Sequence, residues 1–129
     1  MRIIQKDSQV VAYIFDGEFA AGTNGITDPA LPLQVISLNY SKGKVWPLHR
    51  HEPNPRNTSF LLEALVIIRG KVNILLYHKN NLIEKVILTS GMGMLILDGA
   101  MQMEALEDVV MMEFKNGPFI DDKVLLDQV

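Results

Sequence analysis

Leu61-Leu-Glu63-Ala-Leu-Val-Ile-Ile-Arg-Gly70-Lys-Val-Asn-Ile-Leu-Leu-Tyr77-His-Lys-Asn-Asn81-Leu-Ile-Glu-Lys-Val-Ile-Leu88 holds three strand-length apolar runs broken by turn residues. Val and Ile dominate the runs, and β-branched side chains pack well on a pleated, half-buried surface. Asn80-Asn81 reads as a hairpin turn because Asn tolerates positive φ, and Gly70-Lys71 reads as another. A helix competes over residues 59–68, where Leu61, Leu62, Leu65 and Ile68 follow a helical period. The β-branched end and the closing Arg69-Gly70 favour a strand there.

Outward from this stretch the pattern repeats. Residues 10–15, 33–40, 94–97 and 109–114 are further short apolar runs between Gly, Asn, Asp or Ser-Lys-Gly clusters. Recurrent short runs with turn signals predict an all-β sandwich or barrel. Residues 16–32 hold Gly17, Gly22, Gly25, Pro29 and Pro32, and read as a surface loop. A length of 129 residues with 48% hydrophobic content suits one compact domain without a linker.

Composition removes several functions. The net charge is -3 and the twelve Lys and Arg are scattered, so nucleic acid is not an expected partner. The absence of cysteine rules out disulfides, thiolate zinc sites and a cysteine nucleophile. No run approaches the ~18 apolar residues of a membrane span, and a soluble cytoplasmic protein without a membrane partner is expected. Neither a Gly-rich phosphate loop nor a Gly-x-Ser-x-Gly elbow is present.

Two of the three histidines, His49 and His51, stand one residue apart after Gly43. In a strand, residues i and i+2 point to the same face, so both imidazoles would enter one space. If residues 61–68 form a strand, Glu63 shares a face with Leu61, Leu65 and Ile67. A carboxylate on such a face costs several kcal/mol unless it is paired, protonated or bound to a cation. Two imidazoles and one carboxylate suit Fe(II), and tolerate Mn, Ni or Zn. The plainer alternative places both histidines on an exposed loop beside Arg50 and Glu52, with Glu63 paired to an arginine such as Arg56.

Gly43, five residues, His49-Arg-His51, then Glu63, six residues and Gly70 resembles the first motif of the cupin superfamily, with a longer insertion before the glutamate. Gly91-Met-Gly-Met-Leu-Ile-Leu-Asp98-Gly99-Ala-Met101 resembles the second motif, and Glu113-Phe-Lys115-Asn-Gly117-Pro118 is similar to the closing segment of small single-domain cupins. The resemblance implies a double-stranded β-helix, a jelly-roll barrel over about residues 27–123, with N-terminal strands in residues 1–17 packed on it. It also implies that His49, His51 and Glu63 are metal ligands for a divalent cation. The position of a fourth ligand, histidine in metal-binding cupins, is taken here by Met101. A thioether is a poor partner for Fe(II), Mn(II) or Zn(II), which leaves a three-ligand site with more water, a vestigial site or an altered metal preference.

The expected function is therefore a small metal-binding cupin that acts on or binds a small polar molecule. A carbohydrate or organic acid enters by analogy of fold. The alternative is a non-catalytic ligand-binding or sensing cupin with a degenerate metal site. A structural dimer subunit is a third reading, and a homodimer is expected. Trp46 is read as lining the barrel mouth or covering a dimer contact, and Arg56 as a mouth residue facing an anionic substrate or as a solvated loop arginine. Glu113 faces either the cavity or solvent. His78 is read as an exposed imidazole at a turn, and the methionines between Met92 and Met112 as core packing. No residue is assigned a catalytic role.

Overall fold

Val- and Ile-rich runs become strands throughout the computed structural model, which describes residues 1–126. The ten strands of the described residues are β1 (Arg2–Lys6), β2 (Gln9–Phe15), β3 (Gly22–Gly25), β4 (Ile36–Asn39), β5 (Glu63–Arg69), β6 (Lys71–His78), β7 (Asn81–Thr89), β8 (Gly93–Ile96), β9 (Ala100–Ala105) and β10 (Val110–Lys115). The described residues contain no helix, so the protein is all-β, and residues 63–69 are a strand despite their helical period. None of their segments is a helix long and apolar enough to cross a membrane.

The chain divides into two compact units. One combines Met1–Glu18 with the chain from Leu62 onward, and the other is Phe19–Leu61. In the first, an antiparallel sheet of order β1-β2-β8-β5-β10 and another of order β7-β6-β9 enclose a common core. Alternate residues supply it: Ile4, Ala12, Ile14, Leu65, Ile67, Met94 and Ile96 from the larger sheet, and Val72, Ile74, Leu76, Val86 and Leu88 from the smaller. Both sheets are open, with edge strands β1, β10, β7 and β9. From β5 onward the chain passes from the larger sheet to the smaller for β6 and β7, back for β8, across for β9 and back for β10.

Glycines make two of these crossings. Gly70 has φ 95, a conformation that penalises any residue with a Cβ. A Cβ there would run into the Asp108 carbonyl oxygen and come within 2.9 Å of Val109 Cα. Gly70-Lys71 is thus a corner between sheets, not the hairpin its sequence suggested. Gly99, with φ 131, brings a Cβ to 2.5 Å of the Tyr77 carbonyl oxygen at the β8–β9 corner.

The β6–β7 hairpin turns on Lys79 (φ 49) and Asn80 (φ 63), one residue earlier than expected, because Asn81 pairs with His78 in the ladder. Two consecutive positive φ values match the twist of the flanking strands. In the second unit β3 pairs with β4, so residues 16–32 are not wholly loop. Thr23 opposite Leu38 lies at the centre of this ribbon.

Candidate functional site

Strand register decides where the carboxylates of the first unit point. Glu63 opens β5, opposite Ile96 of β8 on one side and Lys115 of β10 on the other, while Glu113 pairs with Leu65. Leu65 and Ile67 are core residues, so Glu63, Glu113 and Lys115 share their inward face. Leu62 N–H donates to Asn116 Oδ1 at 2.8 Å, which ties the start of β5 to the end of β10 and fixes Glu63 beside Glu113.

The two carboxyls form a hydrogen-bonded pair. Burial pushes the Glu63 carboxyl up to about 7, helped by the hydrogen bond and negative charge of Glu113, while Lys115 and Lys123 oppose the shift. Glu113 is held below the ordinary carboxylate range, first by accepting the Glu63 hydrogen bond and then by Lys115 and Lys123, against a smaller cost of burial. Lys115 Nζ lies 3.7 Å from Glu113 Oε2. Near neutrality the pair therefore shares one proton and titrates as a unit.

His49 and His51 belong to the other unit and do not lie in a strand. Pro47, Pro53 and Pro55 flank them, and proline supplies no ladder donor. The rings still meet edge to face, 5.4 Å apart at 80°. His49 Nδ1 lies 2.8 Å from the Pro47 carbonyl oxygen, which selects the tautomer that donates from Nδ1 and leaves the Nε2 lone pair available. This donor chemistry fits a divalent cation. Among the described residues, no group of three or more His, Cys, Asp or Glu side chains is gathered so as to hold one.

The remaining candidates separate. Met101 lies on β9 opposite Leu76 and packs against the core, with Met92 and Met111 in the same role. Trp46 packs edge to face on Tyr40, and the Arg56 guanidinium donates to the Asn54 carbonyl oxygen at 3.2 Å. His78 is buried, contrary to its sequence reading, because the alternation of β6 turns it inward with Ile74 and Leu76. Its Nε2 lies 3.2 Å from Asp98 Oδ2. Sequence reasoning missed Lys115, Lys123 and Asp98. Lys115 was within reach, since strand alternation places it on the face of Glu113 two residues before.

Compared with family models, characterised proteins and solved structures, the chain matches none. The cupin resemblance rests on the two sequence motifs.

Proposed function

We propose that this protein is a small cupin-type protein of double-stranded β-helix architecture that binds a small polar molecule with the help of a divalent cation. The observation that carries the reading is Glu63: a carboxyl on the inward face of β5, set beside a second carboxyl, Glu113, and pushed by burial up to about 7. A positive charge brought beside such a carboxyl would favour its ionised form and make it a ligand. The alternation of the chain between two sheets from β5 to β10 supports the architecture. The nitrogen donors of the proposal, His49 and His51, lie in the other compact unit and are supported by motif spacing and by the His49 tautomer. When bound, Fe, Mn, Ni or Zn would supply Lewis acidity, or affinity for dioxygen in the case of iron. Glu63 would release its proton to solvent on coordination. The reading includes a homodimer and a cytoplasmic location. Val110, Met112 and Phe114, exposed on one face of edge strand β10, support the dimer.

Metal content of untagged protein tests the proposal beside His49→Ala/His51→Ala and Glu63→Gln variants. Near-stoichiometric metal in the parent and little in either variant is expected, with affinity rising with pH through 7 because binding releases a proton. No metal in the parent after incubation with Fe(II), Mn(II), Ni(II) and Zn(II) overturns it. A second reading, a non-catalytic ligand-binding or sensing protein with a degenerate metal site, is favoured by Met101, which packs in the core in place of a fourth donor.

A further inference from the structure

In the second unit, residues 41–44 form a turn closed by Lys44 N–H donating to the Ser41 carbonyl oxygen at 3.3 Å, with Gly43 at φ 95. The turn folds Trp46 back against Tyr40, the residue that follows β4. The rings lie 4.9 Å apart at 84°, making a two-walled corner. Tyr40 is fixed from behind, because its hydroxyl is 2.5 Å from Thr23 Oγ1 on β3. Both rings remain partly open to solvent.

The corner already holds a cation. Lys44 Nζ lies 5.0 Å from the Tyr40 centroid and 5.8 Å from the Trp46 centroid, within the range over which a ring quadrupole attracts an ammonium. Among the described residues Lys44 makes no ion pair, whereas Lys71 and Lys115 each reach a carboxylate. Two π faces at right angles, meeting at an ammonium without a carboxylate, are the recognition chemistry of quaternary ammonium groups. A primary ammonium keeps its water more tightly than a methylated one. Lys44 is therefore the weaker occupant of its own corner.

We propose that the Tyr40–Trp46 corner is a binding site for a small methylated-ammonium ligand, with Lys44 as a built-in placeholder that the ligand displaces. The site lies wholly in the second unit and does not depend on the cation reading of Glu63.

Trp46 is the single tryptophan, so its fluorescence reports on this corner alone. Tetramethylammonium chloride is titrated into the parent chain, Lys44→Met and Tyr40→Ala, with sodium chloride holding ionic strength constant and circular dichroism confirming that each variant is folded. A saturable change is expected in the parent and in Lys44→Met, with binding about five- to ten-fold tighter in the latter, where no internal ammonium competes. Tyr40→Ala abolishes it, while Tyr40→Phe, which keeps the ring but loses the Thr23 bond, retains it. Neopentyl alcohol, uncharged and of similar size, gives no saturable change. A response to neopentyl alcohol equal to that of tetramethylammonium, or no saturable response in Lys44→Met, overturns the proposal. Metal content is measured on the same samples, so failure here is distinguishable from failure of the Glu63 reading.

Discussion

The two compact units are held by different forces. Every buried hydrophobic side chain among the described residues belongs to the first unit, whereas the buried residues of the second are Thr27 and Ser37. The second unit is joined instead by side-chain hydrogen bonds to backbone: Gln34 Nε2 donates to the Asp28 and Leu31 carbonyls at 2.8 and 2.7 Å, and Asn39 Nδ2 to the Phe19 carbonyl at 2.8 Å. Many of its large apolar residues, Leu38, Val45, Leu48 and Phe60 among them, are exposed. A buried leucine contributes more to stability than a solvated hydrogen bond, whose net value is about 1 kcal/mol. The second unit therefore opens at lower free energy than the first, and a region poor in burial is where binding function is free to reside.

Truncation tests the comparison most strongly. Leu76→Ala, fully buried between the sheets, should cost roughly 3 kcal/mol in denaturant unfolding, and Leu48→Ala in the second unit should be near neutral. Equal losses at the two sites would erase the distinction. Glycine sharpens it, because Gly70 and Gly43 share φ 95 but differ in surroundings. A Cβ on Gly43 meets nothing within 4 Å, so Gly43→Ala carries only the backbone penalty of about 1 kcal/mol. Gly70→Ala adds a collision with the Asp108 backbone and should cost about 2–4 kcal/mol. Melting temperatures of the two variants give the order directly.

The same contrast explains what was readable in the sequence. The β6–β7 hairpin was legible because residues 72–88 alternate between core and surface with turn residues between them. Strand β9, Ala-Met-Gln-Met-Glu-Ala, lacks β-branched residues and is specified by its pairing with β6. Strand β3, Gly-Thr-Asn-Gly, is built from turn-forming residues, and a local signal for it does not exist. Gly70 announced a sharp turn, but only the approach of Asp108, distant in sequence, distinguishes a corner from a hairpin. His78 was misread by its neighbourhood of Lys79, Asn80 and Asn81, although the alternation that buries Ile74 and Leu76 carries on to it. Glu63 was placed inward by alternation within one strand. The side of Glu113 depended on its register with Leu65, which is a property of two strands.

That register has a consequence for pH. The Glu63 carboxyl rises from 4.5 to about 7 on folding, so between these values the folded chain holds a proton that the unfolded chain has released. Stability from this group is fully present below pH 4.5 and is lost as pH rises toward 7. Glu113, with its folded value depressed, acts in the opposite sense: its contribution is present above the unfolded carboxylate value and lost as pH falls. Solvent screens both partly exposed groups, so the net loss between pH 5 and 8 should be about 1 kcal/mol, well below what the full shift implies. Glu63→Gln keeps a donor toward Glu113 and removes the titration, and its stability should be level over the same range. Urea midpoints at half-unit pH steps, taken with a chelator present so that no cation binds Glu63, measure both curves. A parent whose stability rises from pH 5 to 8 would show that Glu63 is not held protonated by folding, and a Glu63→Gln chain with the parent's slope would place the titration elsewhere.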